Sequence, residues 1–120
     1  MEKEVKVKAV GLYAGHSVKV NKAVDLGLKF NYDELQNYIQ TIQMLNENVT
    51  LYVKLGDKKA QKIGMFTIKE IKIDKDGKGV LRFNSQIDYV EVDALNNLVG
   101  EEQFTCMFKS TISVEEEGDE

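Results

Sequence analysis

Cysteine occurs once in this chain, as Cys106, which rules out an intrachain disulfide framework and fits a reducing compartment. Histidine also occurs once, as His16, so a zinc centre would need carboxylates or a second subunit to complete it, and a structural zinc is not expected. No apolar run approaches the roughly 20 residues that span a bilayer. The opening residues Met1-Glu2-Lys3-Glu4 lead into alternating lysines rather than the apolar core of a signal peptide. A cytoplasmic protein with no membrane partner is the resulting expectation. Neither a Gly-x-x-x-x-Gly-Lys-Ser/Thr phosphate cradle nor a Gly-x-Gly-x-x-Gly turn is present. Proline is missing altogether, and a single arginine stands beside fifteen lysines. With many Asn and Ile, that usage is typical of an AT-rich genome such as a low-GC bacterium or its phage.

What is present is an uneven distribution of charge. The formal net charge of −4 arises at the carboxyl end, where residues 115–120 hold five carboxylates and no cation. The preceding 114 residues balance sixteen cations against fifteen carboxylates. Residues 1–114 therefore read as one globular domain and 115–120 as an acidic, disordered tail, because like charges repel and the segment has no apolar group to bury. At 120 residues there is material for one good core and not for two.

Hydrophobic periodicity predicts the elements. Val5, Val7, Ala9, Gly11 and Tyr13 alternate with Lys6 and Lys8 as in a half-buried strand, and Gly15-His16-Ser17 reads as a turn. A second strand places Val24, Leu26, Leu28 and Phe30 inward, with Gly27 marking a bulge or a close backbone approach. A main helix is expected at about 32–46, capped by Asn31 with Glu34, with Leu35, Tyr38, Ile39, Ile42 and Leu45 on its core side and a Gln/Asn-rich solvent face. Val49, Leu51, Val53 and Leu55 then alternate with Thr50, Tyr52 and Lys54, and a lysine-bearing loop follows. In residues 65–73 the inward parity changes between Ile68 and Ile71, which predicts a bulge near Lys69-Glu70. A turn at 74–79 leads into a strand with Leu81, Phe83, Ile87 and Tyr89 inward. A short helix at about 92–99 stops at Gly100, and a last strand turns Phe104, Cys106, Phe108, Ile112 and Val114 inward. The fold class is α+β, mostly β: an antiparallel, strongly curved sheet or small barrel of about six strands with one main and one short helix.

Little of this carries catalytic chemistry. Asp74-x-Asp76-Gly77 resembles the start of a calcium loop, but the twelfth position is Ser85 instead of Glu and strands flank it where helices are required. Cys106 shares the parity of Phe104 and Phe108, so it reads as a buried apolar residue and not as a thiolate nucleophile. The chain is therefore expected to be a non-catalytic binding protein without a cofactor. Lys6, Lys8, Tyr52, Lys54, Lys58, Lys59 and Lys62, with Arg82 and Asn84 if the sheet curls, are the candidate ligand-binding set. Lysines that follow phosphates and an aromatic that stacks on bases suit single-stranded nucleic acid or a nucleotide, in replication, recombination or anti-defence of a mobile element. The alternative is a protein-binding inhibitor or adaptor of a host protein, using the helix face or an exposed sheet edge. Long strands with free edges would also favour a homo-oligomer.

Overall fold

The computed structural model describes residues 2–30, 35–73, 75, 78–101 and 103–113, with backbone alone at 35–38, 112 and 113. Six strands occur in the order β1 (Glu2–Val18), β2 (Ala23–Phe30), β3 (Asn48–Lys54), β4 (Gln61–Ile73), β5 (Gly79–Gln86) and β6 (Phe104–Ser113). Two helices, α1 (Leu35–Gln43) and α2 (Val92–Asn96), lie between β2 and β3 and between β5 and β6. All strand pairs are antiparallel, and the sheet closes on itself in the order β1-β2-β5-β4-β3-β6. Each strand is paired on both sides, so the ring has no edge strand. The free edge invoked for an adaptor or a homo-oligomer is not among the described elements.

Closure depends on β1, whose 17 residues serve two neighbours. Its first half pairs with β6 as far as Gly11↔Phe104, and its second half pairs with β2 from Gly11↔Phe30 onward. Gly11 sits at this corner against both rings: a Cβ there would lie 3.1 Å from Phe104 and 3.3 Å from Phe30. The alternation seen in sequence then sorts the side chains. Val5, Val7, Leu26, Leu28, Phe30, Leu51, Ile68, Leu81, Phe83, Cys106 and Phe108 fill the interior, while Lys6, Lys8, Lys54 and Lys62 stay outside. Full burial of each large apolar side chain stabilises the fold by about 1.5–3 kcal/mol.

The anticipated bulge in β4 is present, as a register shift between Ile68 and Glu70. Gly27 does mark a close approach, since a Cβ would stand 3.2 Å from the Ala14 carbonyl oxygen. Four expectations are corrected. Gly15-His16-Ser17 is not a turn: β1 runs through it with a register shift between Tyr13 and His16, because pairing with β2 overrides the local turn composition. The chain reverses later, where Lys19 N–H donates to the Ala23 carbonyl and Lys22 takes φ 69°. The main helix covers nine of the described residues, Leu35–Gln43, and ends short of residue 46 because the Asn46 N–H donates to Ile68 and the Ile68 N–H to Glu47, drawing the chain into β4's hydrogen bonding. These bonds also set its rotation, so Thr41 and Met44 are buried while Ile39, Ile42 and Leu45 are 42%, 46% and 39% exposed. Lastly, β5 ends at Gln86 and a 3-10 turn over Ile87–Tyr89 breaks the strand period, leaving Tyr89 exposed. The proposed cap at Asn31 and Glu34, the Asp74-Asp76-Gly77 loop and the tail 115–120 lie outside the described residues.

Candidate nucleic-acid interface

On the outer wall, the ring brings lysines of separate strands into register. Residues directly opposite in an antiparallel pair share a face. Lys6 pairs with Lys109, which pairs with Thr50, which pairs with Met65. One row further, Lys8 pairs with Met107, Met107 with Tyr52, and Tyr52 with Lys62. Beyond that, Val10 opposes Thr105 and Thr105 opposes Lys54. At about 4.8 Å between strands, β1, β6, β3 and β4 give a band roughly 14 Å wide. Lys109 Nζ stands 5.6 Å from the centre of the Tyr52 ring, a cation–π geometry that holds the ring on the surface and fixes the ammonium beside it.

Among the described residues the band's charge is not spent internally: the ion pairs are Lys19–Asp25 at 3.1 Å and Lys72–Glu70 at 3.2 Å, and neither touches Lys6, Lys8, Lys54, Lys62 or Lys109. Glu4 and Glu2 continue the outward parity of β1 and bound the band at that end. Lys58 and Lys59 belong to the loop between β3 and β4, where they line a small hollow of ≈ 170 Å³ with Leu55, Gln61 and Asn97. They flank Lys54 and Lys62 at the α2 end of the ring without joining the rows.

Arg82 does not join the band. It lies on β5, beside β4, opposite Gly27 and Glu70, and Glu70 is eight residues along β4 from Lys62. Asn84 is on the same strand, opposite Thr67 of β4. Sequence reasoning also passed over Lys109, although the inward parity of Phe104, Cys106 and Phe108 already turns it outward beside Tyr52.

Arg82 lines a separate groove of ≈ 380 Å³ with His16, Ser17 and Asp25, opened by the bulge in β1 and floored by Gly27. Here Asn84 Nδ2 donates to Asp25 Oδ1 at 2.7 Å, and the Lys19 ammonium holds the other carboxylate oxygen. The Asn84 hydrogen bond, then Lys19 and the nearby Arg82 charge, hold the Asp25 carboxyl below its usual 3.8, against a partial desolvation that works the other way. The folded value is therefore the lower one. Asp25 adds stability above the ordinary carboxylate range and loses it as pH falls through the folded value. The urea midpoint of wild type minus that of Asp25→Asn is expected to stay constant from neutral pH down to about pH 5 and to shrink below about pH 4. A difference unchanged in acid would remove Asp25 from the stability of this corner.

Cys106 faces the interior with no exposure, and burial pushes its thiol well above the usual value. His16 sits on the β1 bulge, where its Nδ1 and the Tyr13 hydroxyl share a hydrogen bond, while Cys106 faces the interior, so imidazole and thiol are not assembled as a pair. Among the described residues no three His, Cys, Asp or Glu side chains gather as metal ligands, and no helix is long and apolar enough to cross a membrane. No protein-family model matches this chain, and no curated protein aligns with it significantly. The functional reading accordingly rests on the geometry of the outer wall.

Proposed function

We propose that the chain is a non-catalytic binding protein for a phosphate-bearing ligand, and that single-stranded nucleic acid is the form its surface suits best. The observation that carries this reading is the register of Lys6–Lys109 and Lys8–Met107–Tyr52–Lys62 across four strands, with the Lys109 ammonium 5.6 Å from the centre of the Tyr52 ring. A wall of this breadth, open and not enclosed, favours an extended polymer over a mononucleotide. Phosphates lie along the lysine rows and a base stacks on Tyr52. Replication, recombination or anti-defence functions of a mobile element are settings in which such a module acts.

Titration of labelled oligonucleotide against salt concentration tests the proposal. Each phosphate neutralised on a single strand contributes about −0.7 to the slope of log K against log salt, so Lys8→Gln with Lys62→Gln should flatten that slope by about 1.4. Removing residues 115–120 should tighten binding, since the tail carries five carboxylates that compete for the same cations. Absence of binding at low salt, or binding indifferent to salt, would end the nucleic-acid reading.

One observation favours the second reading, a protein-binding inhibitor or adaptor of a host protein. Ile39 and Ile42 on α1, with Leu45 just beyond it, form an exposed apolar stripe suited to a partner's apolar groove. Under that reading the tail deletion leaves oligonucleotide binding absent and weakens capture of the partner instead.

A further inference from the structure

A groove of ≈ 410 Å³ lies over β4 and β5, lined in part by Asn48, Met65, Thr67, Asn84, Gln86 and Tyr89. Its volume falls in the range of small-ligand pockets, roughly 300–1,000 Å³. Among the described residues no charged side chain lines it, in contrast to the lysine rows beside it. It is continuous with the Lys6–Lys109 row at the end that Glu4 bounds: Asn48 and Met65 also line the hollow that holds Glu4, Thr50 and Lys109. A ligand whose phosphates occupy the rows has this neutral groove directly within reach.

The polar groups of the groove are arranged by a ladder that runs Asn48↔Thr67↔Asn84↔Asp25 across β3, β4, β5 and β2. Thr67 Oγ1 donates to Asn48 Oδ1 at 2.8 Å, which fixes that amide and leaves its NH₂ without an acceptor among the described residues. Asn84 Nδ2 is committed to Asp25 at 2.7 Å, which leaves Oδ1 as an acceptor without a donor among the described residues. The groove thus offers an oriented donor and an oriented acceptor, with Gln86 able to supply either. Tyr89 presents its ring at 62% exposure from a turn pinned by the Val90 bridge to Gly64 and the Val90 N–H bond to Ile87. Neutral walls, a paired donor and acceptor, an exposed ring and a thioether fit the edge and face of a nucleobase, whereas a phosphate would find no cation there.

We infer that this groove is a base-reading subsite: a nucleobase of the bound strand leaves the lysine wall at Met65, stacks on Tyr89 and is hydrogen-bonded along its edge by Asn48 and Asn84. The inference rests on the nucleic-acid reading of the lysine rows and adds discrimination among bases, which lysines and a stacking ring alone do not provide.

The experiment pairs two titrations of the full chain. With labelled homopolymers of each base at low salt, wild type is expected to prefer one base class; Tyr89→Ala should weaken binding about tenfold, and Asn48→Ala should erase the preference, with neither change altering the salt slope. With millimolar free nucleosides, which carry no phosphate, the backbone amide signals of Asn48, Asn84 and Tyr89 should shift in the NMR spectrum of wild type and remain still in Tyr89→Ala. Equal, salt-dependent binding of all homopolymers by wild type and both variants, with no nucleoside shift, would overturn the subsite and leave the lysine-row reading intact. Failure of every oligonucleotide together with nucleoside shifts confined to the groove would overturn the lysine-row reading and retain a base-binding groove. Failure of both titrations would overturn the two together.

Discussion

Phe108→Ala is expected to lower stability by about 3–5 kcal/mol. Phe108 is fully buried, and its ring lies 5.6 Å from that of Phe30 and 5.9 Å from that of Phe83, which in turn packs 6.0 Å from Phe66. These four rings come from β6, β2, β5 and β4, so the cluster links strands on opposite sides of the closed sheet. Removing the central ring takes away its transfer energy and two aromatic contacts worth about 0.5–1.5 kcal/mol each. It also leaves a cavity that the neighbours cannot collapse, because every strand is tied on both sides by hydrogen bonds to the next. In a chain of this size the loss should appear as a fall of about 10–20 °C in Tm, with an unchanged urea m-value. Lys109→Ala, one residue further and on the outer wall, should stay within about 0.5 kcal/mol. If Phe108→Ala cost no more than the lysine change, the ring of phenylalanines would not be the structural centre of the fold.

The contrast between neighbours 108 and 109 shows what was readable in advance. Strict alternation in β3 and β6 assigns Leu51, Val53, Cys106 and Phe108 to the interior, because a pleated strand with one wet face has only one register that buries its apolar set. The same rule exposes the β4 bulge, as parity cannot change along a strand without an inserted residue. Readability ends where a non-local constraint outweighs a local preference. Gly15-His16-Ser17 has turn composition, yet the hydrogen-bonding partners of β2 hold it extended. Ile39, Ile42 and Leu45 have the spacing of a core face, yet the bonds of Asn46 and Glu47 to Ile68 rotate α1 so that Thr41 and Met44 enter instead. The candidate site divides in the same way. That Lys8 and Tyr52 face outward follows from parity; Lys62, read as part of a loop, shares the even parity of the buried Phe66 and Ile68 and reaches the outer wall only through the register shift beside Gly64. That the three lie side by side, and that Arg82 lies on β5 away from their rows, follows from strand order, which no local pattern encodes. Asn48, Asn84 and Tyr89 carry no sequence signal as a group, because β3, β5 and the turn after β5 meet only once the sheet has closed.

Closure itself is most exposed at Gly64, and Gly64→Ala is expected to cost about 3 kcal/mol or more. Gly64 is buried in β4 with φ at +156°, next to the extra residue Ile63 that β4 carries between the partners of Leu51 and Tyr52. A Cβ there would stand 2.5 Å from the Tyr89 carbonyl oxygen and 3.0 Å from Val90 Cα. Both are backbone atoms, held by the Gly64↔Val90 bridge and by the Glu91 N–H bond to the Ile63 carbonyl. Flexible side chains could yield; this segment cannot move without releasing α2, whose Ala94 and Leu95, with the following Leu98, are packed into that end of the ring. Gly56→Ala provides the control, because Gly56 also has positive φ, +58°, but nothing lies within 4 Å of the added carbon. It should cost at most about 1 kcal/mol, from backbone preference alone. Amide hydrogen exchange separates steric displacement of the α2 end from general loosening: in Gly64→Ala, protection should drop at Val90, Glu91 and Leu95 well before it drops at Leu51 or Phe108. Equal loss of protection throughout, or a stability matching that of Gly56→Ala, would mean that the contact between β4 and the turn after β5 does not hold this end of the ring shut.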